Sequence, residues 1–236
     1  MTHCETFAQR SWPVRLWFTF SVQLVGIGLR LLYRIQVEGL EHLPRQGGVV
    51  IASNHISIFD TLLIPYTILL AQGCHIVWAP AKEELFRIPI LRHLLASWGA
   101  FPVRRGKGDL RAMRQMISHM STEKVMLFPE GTRSPDGRLQ AGKRMVGKLM
   151  YQARPVVIPA AIQGTDALRP TGRLWPRWRP PVSIRYGPPV DVKRYYASPD
   201  NKETSEAIVQ ATMVAIAALL PPTSQTGVSA SPESSR

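Results

Sequence analysis

The chain has 236 residues, 45% hydrophobic and 19% charged, which favours one domain with a substantial core and excludes disorder throughout. Lys and Arg outnumber Asp and Glu by 29 to 16, so we expect anionic partners: nucleic acid, phospholipid head groups or a phosphorylated substrate. The two cysteines, Cys4 and Cys74, are too few for a disulfide framework and follow no zinc-ligand spacing, so we expect a reducing compartment and no structural metal.

The first predicted element is a helix that starts near Ser11 and Pro13, a capping residue followed by a proline whose φ suits a first turn. A polar stripe recurs along it at spacings of three and four residues: Arg15, Thr19, Gln23, Gly26, Arg30 and Arg34. The rest of its surface is apolar. Only 14 residues separate Arg15 from Arg30, fewer than the roughly 18 of a spanning helix. We therefore expect a helix lying in the membrane interface; a helix packed on the domain's own core is the alternative.

Beyond residue 47, strand-like runs alternate with helix-like stretches. Predicted strands cover residues 48–52, 75–79, 101–103, 125–128, 156–162 and 182–186, and predicted helices cover 59–71, 84–98, 109–120, 143–152 and 203–220. This alternation predicts an α/β fold, a layered, largely parallel twisted sheet flanked by helices. The chain divides into an N-terminal membrane-associating helical segment (1–37), an α/β domain (38–220) and a disordered tail (221–236). Ligands of such sheets bind at the carboxyl ends of the strands.

His55 and Asp60 follow the first of these strands. If His55 lies in the loop and Asp60 in the first helical turn, the carboxylate can hold one imidazole nitrogen and leave the other as a base. The alternative is that Ser57 and Asp60 form a capping box and His55 only ends the strand.

Two further windows follow strands and carry cations. Residues 129–134 contain Glu130, Gly131, Thr132 and Arg133, a glycine that lets the backbone approach a ligand beside a guanidinium suited to phosphate oxygens. Residues 99–107 place Arg104, Arg105 and Lys107 among glycines. Taken singly, the first is a common loop composition and the second is equally well a solvated basic turn.

Together these windows resemble the four blocks of the glycerolipid acyltransferase family. The blocks are Asn54-His55 with Asp60 after four spacers, Gly99 to Arg105, Phe128-Pro129-Glu130-Gly131-Thr132-Arg133-Ser134, and Val157-Ile158-Pro159. The segment Ala81-Lys82-Glu83-Glu84-Leu85-Phe86 is similar to one that the family carries between its first two blocks. The best-known members are 1-acyl-sn-glycerol-3-phosphate acyltransferases.

The resemblance implies roles for individual positions. His55 would be the general base and Asp60 would orient it. The glycerol phosphate would be bound by the residues of the second and third blocks, Arg105, Glu130, Gly131, Thr132 and Arg133, with Arg104 and Lys82 as weaker candidates. The second block departs from the family at Pro102 and Arg104, and the third is followed by Gly142-Lys143-Arg144 where many members have Phe-Lys.

The resemblance also implies a reaction. The chain has no Gly-x-Ser-x-Gly elbow and no activated cysteine, so we expect direct attack of an acceptor hydroxyl on a thioester, with backbone N–H groups near His55 or Gly131 stabilising the oxyanion. The expected acceptor is the sn-2 hydroxyl of 1-acyl-sn-glycerol 3-phosphate (lysophosphatidate). The expected co-substrate is acyl-CoA or acyl-ACP, with no cofactor and no metal.

Alternatives remain for the acceptor and for the class of protein. The same chemistry on another lysolipid, such as a lyso-ornithine lipid or a lyso-glycerophospholipid, is one, and a non-catalytic membrane or nucleic-acid binding module is the other. A basic, Trp-containing segment at 169–194 suits either lipid or nucleic acid, and the N-terminal helix favours lipid. We expect a phospholipid membrane as partner, no nucleic acid, and a location on the cytoplasmic face of the inner membrane.

Overall fold

A computed structural model describes residues 11–73, 76–104, 109–168 and 178–224 of the chain. Seven strands form one sheet: β1 (Arg34–Glu38), β2 (Val49–Ser53), β3 (Val77–Lys82), β4 (Ala100–Val103), β5 (Lys124–Leu127), β6 (Val156–Gln163) and β7 (Pro181–Tyr186). Their order is β1-β7-β6-β2-β5-β3-β4. Every neighbouring pair is parallel except β6 and β7. The prediction of a largely parallel α/β sheet is confirmed.

Helices cover both faces of this sheet. They are α1 (Trp12–Leu32), α2 (Asp60–Gln72), α3 (Pro89–Ser97), α4 (Leu110–Thr122), α5 (Arg144–Ala153) and α6 (Lys202–Leu219). The central strand β2 shows why two layers form, because successive side chains point to opposite faces. Val49 and Ile51 join the core beneath α1 and α2, whereas Val50 and Ala52 join the core beneath α4, α5 and α6.

The first helix packs on the domain with one side only. Phe18, Ser21, Gly26 and Leu29 are buried, and Trp98 donates its indole N–H to Ser21 Oγ over 3.0 Å. On the other side, six large apolar side chains are more than half exposed: Trp12, Leu16, Phe20, Leu24, Ile27 and Leu31. The predicted polar stripe was wrong at two positions: Gly26 faces the domain, and Arg34 lies beyond the end of α1, in β1. Ser11 precedes the helix but makes no side-chain capping bond.

One predicted helix is interrupted in the structure, and one strand of the structure was not predicted. The helix expected over 84–98 is interrupted, because Pro89 forces Ile88 into an extended conformation (φ −87°, ψ 114°). A 3₁₀ turn, Glu83–Arg87, therefore precedes α3. Strand β1 was not predicted; it pairs with β7, and the expected boundary between residues 37 and 38 falls inside it. The three-part division stays a prediction, and residues 225–236 of the expected tail lie outside the described residues.

Candidate active site

The carboxyl ends of three adjacent strands carry the polar residues of the candidate site. Strand β2 lies between β5 and β6 and runs parallel to both. His55 follows β2, Glu130 follows β5 and Thr165 follows β6. Because parallel strands end at the same edge, these residues, which are far apart in the sequence, meet there.

His55 and Asp60 are in direct contact. Imidazole Nδ1 lies 2.9 Å from Asp60 Oδ2, with His55 8% exposed and Asp60 fully buried. An ionised carboxylate only accepts hydrogen bonds, so Nδ1 carries the proton and Nε2 holds the lone pair. Among the described residues, none is a hydrogen-bond partner of Nε2. The arrangement can therefore accept a proton from a bound hydroxyl group.

Asp60 also organises the loop before its own helix. Oδ2 accepts hydrogen bonds from the N–H groups of Ile56 and Ser57, both over 2.7 Å. The capping-box alternative is thus half realised, since Asp60 reaches back to Ser57 N–H, while the Ser57 hydroxyl pairs with Phe59 N–H over 3.4 Å. The same carboxylate holds both the loop backbone and the imidazole.

The imidazole ring is fixed from the side as well. His55 stacks on Phe128 with ring centroids 3.9 Å apart and planes 9° apart. The side chain of Asn54 pairs with the backbone of Ile162 in both directions, through bonds of 2.9 and 2.8 Å, and so extends the β2–β6 pairing by one residue. The position of His55 is consequently set by β2, β5 and β6 together.

Glu130 lies beneath this loop, 2% exposed. Its Oε1 accepts from His55 N–H over 3.0 Å and its Oε2 from Gln140 N–H over 3.1 Å. Burial raises the pKa of Glu130 to about 7, against the lowering effect of these two bonds. Both carboxylate oxygens thus support the protein's own loops, and the predicted contact of Glu130 with glycerol phosphate stays a prediction.

The loop that follows Glu130 turns at Gly131, which adopts φ +71°. A Cβ atom there would lie 3.0 Å from the side chain of Lys143, so the lysine packs over this turn. Thr132 and Arg133 are exposed beside it, and Ser134 N–H donates to His55 O over 2.7 Å. The loop therefore carries two cations, Arg133 and Lys143, and is tied to the residue that bears the imidazole.

The remaining predicted cations lie after β3 and β4. Lys82 ends β3 and is exposed. Arg104 forms a two-bond ion pair with Glu83, over 2.9 and 3.1 Å, which raises the pKa of the arginine and lowers that of the glutamate. Arg105 lies outside the described residues. A role in anion binding stays a prediction for all three.

Two of the backbone N–H groups expected to stabilise the oxyanion, those of His55 and Gly131 themselves, are already engaged, and a role for others near them stays a prediction. His55 N–H is bonded to Glu130, and Gly131 N–H donates to Phe128 O over 3.0 Å. Sequence reasoning also missed Thr165, whose hydroxyl lies 2.6 Å from Asp60 Oδ1. Its position directly after β6 is the signal that would have found it, because strand ends of a parallel sheet supply site residues.

Comparison with known proteins identifies the family of this chain. The family model described as Acyltransferase matches residues 34–163, more than half of the chain. A chloroplast 1-acyl-sn-glycerol-3-phosphate acyltransferase of Arabidopsis thaliana is 31% identical over 62% of this chain and 41% of its own length. A 1-acyl-sn-glycerol-3-phosphate acyltransferase of Borreliella burgdorferi is 29% identical over 65% of this chain and 58% of its own. The matches thus span less than two thirds of either relative.

A solved structure shares the fold. The crystal structure of the 1-acyl-sn-glycerophosphate acyltransferase PlsC from Thermotoga maritima superposes with a TM-score of 0.60 and 25% sequence identity, covering 81% of this chain and 76% of that one. The family match covers residues 34–163, and the structural similarity shows the same fold. The chain belongs to the acyltransferase family.

Proposed function

We propose that the chain is an O-acyltransferase that moves a fatty acyl group from acyl-CoA or acyl-ACP to the sn-2 hydroxyl of 1-acyl-sn-glycerol 3-phosphate, forming phosphatidate. The observation that carries this proposal is the 2.9 Å contact between His55 Nδ1 and Asp60 Oδ2, which leaves Nε2 as a base at the carboxyl edge of the sheet. The two relatives described above are both named 1-acyl-sn-glycerol-3-phosphate acyltransferases, which supports this acceptor.

The reaction follows from these positions. His55 Nε2 takes the proton of the acceptor hydroxyl as its oxygen attacks the thioester carbonyl carbon, and a C–O bond forms. The tetrahedral intermediate then collapses, the C–S bond breaks, and the thiolate leaves with the proton that His55 returns. A fatty ester and a free thiol are the products. Asp60 keeps the imidazole in the tautomer that these two proton transfers need. Its negative charge offsets the positive charge that the imidazole carries between them.

The acceptor's phosphate is bound by the cations around the same edge. Arg133 offers a planar donor pair for phosphate oxygens, and Lys143 adds a second charge beside the Gly131 turn. The excess of Lys and Arg over Asp and Glu in the chain favours approach of an anionic lipid. Lys82, the last residue of β3, lies at the same edge of the sheet and serves the same anion in this proposal.

The exposed apolar side of α1 brings the site to its lipid substrate. Trp12, Leu16 and Phe20 enter the interfacial region of a membrane, while the buried side of the helix stays on the domain. By length and composition, α1 also meets the requirement for a helix that crosses a membrane. The contacts of Phe18 and Ser21 with Trp98 hold α1 against the domain, which favours a helix lying along the membrane surface over one that crosses the membrane. We place the protein on the cytoplasmic face, where thioester donors occur.

An acyl-transfer assay tests the proposal. Purified protein in detergent receives 1-acyl-sn-glycerol 3-phosphate with acyl-CoA or with acyl-ACP, and the H55A variant is compared with H93A, which removes an exposed histidine of α3. We expect phosphatidate from wild type and H93A and a loss of about 10²-fold or more in H55A. Near-normal turnover by folded H55A contradicts the proposed base.

A panel of acceptors tests the alternatives in the same assay. Lyso-ornithine lipid and lyso-glycerophospholipids replace lysophosphatidate one at a time. Transfer to one of these with none to lysophosphatidate would replace the acceptor and keep the chemistry. No transfer to any acceptor from folded protein would favour a binding module, whose binding of vesicles or oligonucleotides H55A leaves unchanged.

A further inference from the structure

We propose that Thr165 is a positioning residue for acyl transfer, because its hydroxyl holds the carboxylate that orients His55. This inference rests on the proposed function. Thr165 lies 105 residues from Asp60 in the sequence, beyond the end of β6.

The contact is short and fully buried. Thr165 Oγ1 lies 2.6 Å from Asp60 Oδ1, and the two residues are 1% and 0% exposed. Because the ionised carboxylate only accepts, the threonine hydroxyl donates. The other oxygen, Oδ2, already accepts hydrogen bonds from the ring Nδ1–H of His55 and from the backbone N–H groups of Ile56 and Ser57. Thr165 is the one described residue that bonds Oδ1.

Thr165 is itself held in place. Gly164 turns the chain after β6 at φ +80°, and a Cβ atom there would overlap Pro181 O. The Tyr33 hydroxyl donates to Thr165 O over 2.9 Å. Burial, and then the charge of Asp60, raise the pKa of Tyr33, so the phenol keeps the proton that it donates. Tyr33 follows the last residue of α1, so the end of that helix is connected through Thr165 to Asp60.

This arrangement has a consequence for the rate. A carboxylate fixed at both oxygens cannot turn about its Cβ–Cγ bond, so the direction of the His55 imidazole is set before substrate binds. If the Thr165 hydroxyl is removed, Asp60 Oδ1 is left buried without a hydrogen-bond partner, and the carboxylate is free to rotate. The direction of Nε2 relative to the acceptor hydroxyl then varies, and a small misplacement of a reacting group lowers the rate strongly. Substrate contacts elsewhere are unchanged, so the effect falls on kcat.

Steady-state kinetics of T165V and T165S test this. Valine keeps the shape and removes the hydroxyl, whereas serine keeps the hydroxyl. T212V is the matched control, because Thr212 is also fully buried but bonds only Ile208 O of its own helix and Met150 Sδ. In T165V we expect kcat to fall about 10- to 100-fold with KM for lysophosphatidate within about twofold. T165S should recover most of kcat, and T212V should keep the kcat of wild type.

Other outcomes overturn the inference. If T165V loses no more kcat than T212V, Thr165 does not position Asp60 and His55. If KM rises while kcat is unchanged, Thr165 acts on substrate binding. If T165V does not fold, T165A, which needs less space, is measured in its place with T212A as its control and the same expectation. If folded wild type transfers no acyl group to any acceptor, the proposed function itself fails, before Thr165 is considered.

Discussion

Gly26 of α1 lies against the ring of Tyr66 of α2, so closely that a Cβ atom at position 26 would stand 2.5 Å from the ring. Tyr66 is buried, so its ring has little room to withdraw. This contact decides how near α1 approaches the domain. Gly28, two residues on, has nothing within 4 Å of the same added atom.

The two glycines predict opposite effects of the same substitution. G26A should lower the free energy of unfolding by about 1–3 kcal/mol, because the added methyl group overpacks the interface between α1 and α2. G28A should leave it unchanged or raise it by up to about 1 kcal/mol, because alanine favours helix. Chemical denaturation of both variants measures this. Equal stability of G26A and G28A would show that the helices separate at no cost.

Substitution of Arg133 tests the anion site. R133Q should raise KM for lysophosphatidate about tenfold and change kcat much less, since the guanidinium is expected to hold the phosphate and not the reacting atoms. R138Q, which removes a neighbouring exposed arginine that lies 4.0 Å from Asp136, is the control and should keep the KM of wild type. An unchanged KM in R133Q would move the phosphate to Lys143 or Lys82, whose variants are then measured.

Glu130 predicts a pH dependence of stability. Its pKa is raised to about 7 in the folded protein from an ordinary value of 4.5, so the folded state holds this proton more tightly than the unfolded state does. Tighter binding of this proton therefore contributes on the order of 2–3 kcal/mol to the free energy of unfolding. This contribution is fully present below pH 4.5 and is lost as the pH rises to about 7.

Comparison with E130Q isolates this effect. Glutamine does not titrate, so the difference in unfolding free energy between wild type and E130Q should shift in favour of E130Q as the pH rises from 4.5 to 8. E84Q, which changes an exposed glutamate, should follow wild type across the range. Denaturation curves at several pH values give the difference. A difference that does not vary with pH would mean that Glu130 titrates alike in both states.

The exposed side of α1 predicts membrane binding. The triple variant L16Q/F20Q/L24Q should bind vesicles of phosphatidylglycerol and phosphatidylcholine at least tenfold more weakly, because each apolar side chain contributes roughly 1.5–3 kcal/mol when buried. The control L110Q/M145Q/V214Q removes three exposed apolar side chains from α4, α5 and α6. Flotation with vesicles measures both. Equal loss in the two variants would assign binding to general surface hydrophobicity and not to α1.

Local pattern accounts for what could be predicted. Apolar runs located six of the seven strands, and their alternation with helical periodicity gave the sheet type. The contact of His55 with Asp60 was feasible because His55 was expected in the loop and Asp60 in the first helical turn. Strand β1 was missed because Arg34, Gln36 and Glu38 point outward and resemble the polar continuation of α1. The position of Thr165 after β6 marks it as a strand-end residue, but its contact with Asp60 depends on β6 lying beside β2, a neighbour relation that no local pattern encodes.

The separations along the chain also bear on how activity appears during folding. His55 and Asp60 are five residues apart and can meet as soon as the start of α2 forms, whereas Glu130 contacts His55 across 75 residues and Thr165 contacts Asp60 across 105. Contacts between distant residues form late, because closing long loops costs chain entropy. During refolding, catalytic competence should therefore return after helical secondary structure, at the step in which β5 and β6 dock on β2.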